Sequence, residues 1–283
     1  GGNLTLIHSY NDSTRPCMVR ATNGSLHVAW TMYDAYNDLD TLYYASRDVT
    51  GVWSSPEVIT TSHIRAIGYN CVVSPISEFH LLFWTTAGQM YHIQQYLDGS
   101  WSQPENIVSN DSIIHGYGIN VDDLGYVHVI RLIHNLTNNI YQLEYVQRNL
   151  DGTWSTPYYI SDNANLYDAQ VVFDTQGNIH CVWKDSDSIL RYRFRNPQGV
   201  WSPPSIVVSY VDNFEMLVNQ SGTIIHMFWW ISTEPGRWLL CYARKAADLP
   251  FSTPVQLTVS DIPKFSEYNG VAHTYWVIGG KLY

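Results

Sequence analysis

One short phrase recurs along this chain and constrains its fold more than any other feature. It reads GVWSSPEVIT at 51–60, DGSWSQPENIV at 98–108, DGTWSTPYYIS at 151–161, GVWSPPSIVV at 199–208 and LPFSTPVQL at 249–257. The aromatic markers Trp53, Trp101, Trp154, Trp201 and Phe251 are 48, 53, 47 and 50 residues apart. Six residues after each stands Ile59, Ile107, Ile160, Val207 or Leu257. In an extended strand an even offset places both side chains on one face, toward a core.

A second marker keeps the same period. LHVAW, FHLLFW, VHVIR, IHCVW, IHMFW and AHTYW place histidines at 27, 80, 128, 180, 226 and 273, several of them after turns such as TNGS, DLGY or TQGN. A third strand between the markers carries Tyr44, His92, Tyr145, Tyr192 and Tyr242, and an apolar strand such as CMVRA or QVVFD precedes each histidine. Four short strands in about 48 residues, with turn chemistry between them, are the signature of a β-propeller blade.

The markers also count the blades, with six histidine strands against five tryptophan strands. GGNLTLIHS at 1–9 falls where a fourth strand belongs, with Ile7 in the place of Ile59. AHTYWVIGGKLY at 272–283 supplies a second and third strand and stops. The expectation is one all-β domain over 1–283, a six-bladed propeller of four antiparallel strands per blade, closed by the N-terminal strand joining the C-terminal blade. The predicted blades are 11–60, 61–108, 109–161, 162–208, 209–258, and 259–283 plus 1–10. Such closure removes the open sheet edge.

Charged residues are only 14% of the 283, and the net charge is −10. That balance argues against nucleic acid or an anionic membrane surface as partner. The longest apolar run, IIHMFWWI, is eight residues, far short of a membrane span. Cys17, Cys71, Cys181 and Cys241 show no metal-ligand spacing and read as buried free thiols. Asn-x-Ser/Thr sequons at Asn3, Asn11, Asn23, Asn110, Asn135 and Asn219 hint at an extracellular or cell-surface protein, with the cytoplasm as the alternative.

DGTWS and DGSWS resemble degenerate Asp boxes, their Asp-to-Trp interval two residues shorter than the usual form. Together with DTQGNIHCVW and GVWSPPSIV they make the whole chain similar to the sialidase-like, BNR-repeat propellers. That resemblance implies a superfamily of glycosidases, lyases and propellers without catalysis. For an enzyme it implies Arg15 in STRPCMV as a motif arginine, Asp38 or Asp40 as acid/base, and Arg131 or Arg237 as further arginines. A Tyr–Glu nucleophile pair is not found, so the catalytic set is incomplete.

Most tryptophans are accounted for by repetition: Trp53, Trp101, Trp154 and Trp201 hold one repeat position, Trp30, Trp84, Trp183, Trp229 and Trp276 another. Repeated positions are where blades pack, leaving Trp230 and Trp238 over. The repeated histidines, one per blade, stand too far apart to share a metal ion, and their role reads as a hydrogen bond tying strands or blades. Asp34, Asp38 and Asp40 lack EF-hand spacing and read as a solvated turn, so no metal or cofactor is expected. Function is expected on the rim carrying the strand 4-to-1 and strand 2-to-3 loops. That rim offers Tyr36, Tyr117, Tyr167 and Trp238 as ligand platforms, with Arg65 and His115 beside them. The reading is a non-catalytic, lectin-like propeller with a glycan or protein ligand, either a monomer or a module of a larger chain. The alternatives are an exo-acting glycosidase or lyase, and a protein-interaction platform.

Overall fold

The computed structural model describes residues 16–34, 39–60, 66–85, 87–107, 112–137, 139–161, 165–219, 222–234, 237–246, 249–259, 264–268, 271–275, 277–278 and 281–282. No helix occurs among them. Four-stranded antiparallel meanders recur five times. The first sheet is β1 (Cys17–Arg20), β2 (Leu26–Asp34), β3 (Leu39–Arg47) and β4 (Glu57–Thr60). The second is β5 (Ala66–Val73), β6 (Phe79–Thr85), β7 (Met90–Gln95) and β8 (Glu105–Asn106). The third is β9 (Ser112–Val121), β10 (Val127–Asn135), β11 (Ile140–Arg148) and β12 (Tyr158–Tyr159). The fourth is β13 (Leu166–Phe173), β14 (Ile179–Asp185), β15 (Ile189–Arg195) and β16 (Ser205–Ser209). The fifth is β17 (Asn213–Val218), β18 (Ile224–Glu234), β19 (Arg237–Ala246) and β20 (Val255–Val259). Beyond them β21 (Lys264–Tyr268) pairs with β22 (Val271–Tyr275), and β23 (Val277–Ile278) with β24 (Lys281–Leu282).

Thus the predicted four-strand unit is present five times, and the sixth predicted blade is represented by two two-stranded ladders. Residues 1–15, including the predicted closing strand, lie outside the described residues.

The recurring phrase has a physical explanation that differs from a plain fourth strand. Trp53, Trp101, Trp154 and Trp201 each make one antiparallel bridge, to Arg47, Gln95, Arg148 and Arg195, before the fourth strand begins. Proline follows three residues later, at 56, 104, 157, 204 and, after Phe251, 254. Lacking an N–H, it cannot extend the ladder. The serine after each aromatic bridges the interruption. The hydroxyls of Ser54, Ser102, Ser155, Ser202 and Ser252 accept the amide hydrogens of Ser46, Gln94, Gln147, Phe194 and Arg244 at 3.0–3.1 Å. The same serines' amides donate back to those residues' carbonyls.

The described residues group into two compact units, one drawn from Gly1–Asn139 and Leu143–Tyr159, the other from Ile140–Gln142 and Ile160–Tyr283. In the first, β1 lies against β5 and β5 against β9; in the second, β13 lies against β17 and β17 against β21. Leu82, Trp84, Ile107, Val129 and Ile133 form one core of the first unit, and Val182, Leu190, Phe214, Met227 and Trp229 the core of the second. The marker rings pack edge-on against the third strand of the preceding sheet: Trp101 on Tyr44 (5.1 Å), Trp154 on His92 (5.7 Å) and Phe251 on Tyr192 (5.4 Å). That is the packing role their repetition implied.

Packing also corrects the cysteine reading. Cys181 and Cys241 are buried free thiols, but Cys17 and Cys71 are disulfide-bonded. The first strands of the first and second sheets lie side by side, bringing these Cα atoms to 6.2 Å, within disulfide reach, across 54 residues of sequence. Spacing along the chain cannot reveal such a pairing.

Candidate ligand clefts

The site framework is a histidine clip repeated in four of the five four-stranded sheets. His27, His128, His180 and His226 meet the hydroxyls of Tyr44, Tyr145, Tyr192 and Tyr242 through Nδ1 at 2.6–3.0 Å, joining the second strand to the third. In three sheets Nε2 reaches back to the turn between strands one and two: Ser25 Oγ at 3.0 Å, Asp122 Oδ2 at 3.3 Å and Asp174 Oδ2 at 3.0 Å. Burial lowers the pKa of His27. At Asp174 burial pushes upward, but hydrogen bonds from His180 and Asn178 outweigh it and hold the carboxyl low. These residues are structural ties, as their repetition suggested.

The second sheet breaks the pattern at its third strand, where His92 replaces the tyrosine; at the turn, Ser74 stands where the third and fourth sheets carry Asp122 and Asp174 and the first carries Ala21. His80 Nδ1 lies 3.1 Å from His92 Nε2, and His92 Nδ1 faces Glu105 Oε2 at 3.6 Å. Glu105 accepts two hydrogen bonds from the Arg148 guanidinium, both 2.7 Å. Burial pulls His80 down to about 3, helped by His92 and Arg148, and burial likewise lowers His92. Burial pushes Glu105 up, yet the Arg148 and His92 contacts outweigh it and hold the carboxyl at about 2.

Two cavities open beside these third strands. One, of about 300 Å³, lies between the second and third sheets, with Glu78, His80, Gln94, Asp122 and Arg148 on its wall. The other, of about 740 Å³, lies between the fourth and fifth sheets, lined by Phe194, Ile206, Val207, Lys245, Phe251 and Pro254 among others. There the Lys245 ammonium sits 6.0 Å from the Tyr192 ring centre and 5.6 Å from that of Phe194. Arg148 and Lys245 occupy the same repeat position, six residues before their marker aromatic. The two cavities thus share two third-strand positions, but the first is walled by turns between strands one and two and the second by the segments leading into fourth strands.

The first cleft opens at the strand one-to-two turns over 74–78 and 122–125, and the second beside the strand three-to-four segments over 202–205 and 249–254; both kinds of turn lie at the opposite end of a sheet from the expected rim. Much of that rim, with Arg15, Tyr36, Asp38 and Arg65, lies outside the described residues. Asp40 is on β3 opposite Tyr33, and Arg237 opens β19 opposite Glu234. His115 pairs with Leu132, and Tyr117 falls between Gly116 and Gly118 where the register shifts. The side chains of these four lie outside the described residues. Tyr167 is 68% exposed at the start of β13. Trp238 packs instead into an apolar cluster with Phe228, Trp230 and Leu240. Arg131 is 0% exposed, bonded to Glu144 Oε2 at 3.0 Å and to the Ile107 carbonyl at 3.2 Å. It faces the core rather than a rim, because its strand is buried on both faces. The cleft residues were missed because they sit at repeat positions, where the signal was the departure of His92 from the tyrosine of the other sheets. Among the described residues no cluster of three or more metal-ligating side chains occurs.

No family model matches the chain, and no curated protein does. Solved structures do share its fold. The BP39L lectin of Burkholderia pseudomallei superposes with a TM-score of 0.57 at 12% identity, covering 94% of this chain and 92% of the lectin. A Dyadobacter fermentans protein of unknown function gives 0.55 at 11%, over 95% and 92%. AofleA from Arthrobotrys oligospora gives 0.53 at 11%, over 93% and 79%. Fold and site together define an all-β repeat protein of four-stranded meanders with ligand-sized clefts between consecutive sheets.

Proposed function

We propose that the chain is a six-bladed β-propeller that recognises ligands without transforming them, with carbohydrate as the ligand class. The carrying observation is the cleft between the fourth and fifth sheets. About 740 Å³ is within the range of small-molecule sites, and its partly exposed Phe194 and Phe251 rings suit the C–H face of a sugar. Its lysine, serines and threonine can fix hydroxyls. The fold it shares with a bacterial lectin supports the reading. The Cys17–Cys71 bond supports an oxidising, extracellular setting.

The test is a glycan microarray probed with the purified chain, alongside Ser205→Trp, which fills the cleft from an exposed wall position. Binding to a defined sugar class, weakened about ten-fold or more by the substitution, is expected. Absence of binding to any glycan overturns the reading in favour of a protein-interaction platform. Turnover of a fluorogenic sialoside overturns it in favour of the glycosidase.

A further inference from the structure

The cleft between the second and third sheets has a different chemistry, fixed by the direction of its hydrogen-bond chain. His92 is fully buried beside Glu105, and a bare Nδ1 there would set its lone pair against a carboxylate at 3.6 Å. The proton therefore resides on His92 Nδ1, leaving Nε2 an acceptor. His80 must then donate from Nδ1 across the 3.1 Å contact, which strips Nε2 of its proton. His80 is 3% exposed, and its Nε2 has no hydrogen-bond partner among the described residues. The His80 residue contributes to the cleft wall, and its buried Nε2 lies 4.0 Å from Glu78 Oε2.

Two acceptors thus face one another with no donor among the described residues between them. A hydroxyl carries one proton and can satisfy only one of them; an ammonium carries three. The carboxylates of Glu78, Asp122 and Asp123 line the cleft against one guanidinium, that of Arg148, already bonded to Glu105. The mouth carries Ile76, Leu124 and Leu150, exposed by 61%, 73% and 65%, which would cover an aliphatic stem. We infer that this cleft is a binding site for a primary ammonium group on a short carbon chain, held between His80 Nε2 and the Glu78 carboxylate. It stands independently of the glycan site, which lies between other sheets.

The experiment follows the His80 imidazole by NMR while n-butylammonium, butyltrimethylammonium or 1-butanol is added, with the Glu78→Gln and His80→Phe variants beside the parent chain. A saturable shift with n-butylammonium alone is expected, weakened about ten-fold by Glu78→Gln. Nα-acetyl-lysine methylamide and glucosamine then distinguish a peptide side chain from an amino sugar as the natural source. A response to the quaternary ion or the alcohol, affinity unchanged in Glu78→Gln, or no binding by any probe overturns the site and leaves an ordered water between the two acceptors. Should His80→Phe fail to fold, Glu78→Gln alone decides, since its backbone tie to Ser74 does not use the carboxylate. Loss of the amine site would leave glycan-array binding intact, so the two readings fail separately.

Discussion

The Arg131 guanidinium donates to Glu144 Oε2 at 3.0 Å with both side chains sealed from solvent, at 0% and 1% exposure. Two charges so deep persist only as a pair, because each compensates the other's desolvation. Removing one strands the other. Arg131→Ala or Glu144→Ala should each destabilise by about 3–5 kcal/mol, while the double replacement Arg131→Met with Glu144→Leu should be near neutral. Denaturant midpoints of the three variants check this, and single variants as stable as the parent would refute it.

The serine hydroxyl that spans each proline interruption makes a further prediction. Ser102→Ala or Ser155→Ala leaves the Gln94 or Gln147 amide without its acceptor. A loss of about 1 kcal/mol per site is expected, additive between the two because they clip different sheets. Ser→Thr at either position should recover part of it, as read by thermal unfolding.

Acidification should weaken the second sheet before the others. An unfolded histidine titrates near 6.5, whereas burial holds His80 at about 3 and lowers His92, so the unfolded chain binds more protons across that interval. The stability these rings contribute is complete above about pH 6.5 and is lost as pH falls toward their folded values, at up to about 1.4 kcal/mol per pH unit per proton. Glu105, held at about 2, adds a second loss below its ordinary 4.5. His92→Tyr rebuilds the His–Tyr pair of the other sheets and should flatten the upper part of this slope. An unchanged slope in urea titrations between pH 7 and 5 would count against the account.

Of four cysteines, two should react with a thiol reagent in denaturant before reduction and four after it. Cutting the cross-link, which closes a 54-residue separation, should cost about 4 kcal/mol on the chain-entropy estimate. Peptide mapping without reductant should recover Cys17 joined to Cys71.

The four-strand unit, its turn positions and the structural roles of the repeated histidines and tryptophans were legible in the sequence, because repetition averages out local ambiguity. That the hydroxyls of Tyr44, Tyr145, Tyr192 and Tyr242 are the histidines' partners emerges only from the strand pairing. What escaped was whatever depends on neighbouring sheets: the partner of Cys17, the buried carboxylate awaiting Arg131, and the cleft beside His80. His92 is visible as a departure, yet only packing shows that His80 beside it keeps a lone nitrogen. The rim residues singled out on loops could not be ranked by pattern, since loops carry none.

A sheet whose outermost run opens with one bridge, a hydroxyl clip and a proline offers visitors few consecutive unpaired amides. The phrase that writes the repeat therefore also guards it: each outer margin is too broken to template a foreign strand. Exchanging Pro104 or Pro157 for valine would lengthen that margin and invite sticking between molecules, without touching a core residue.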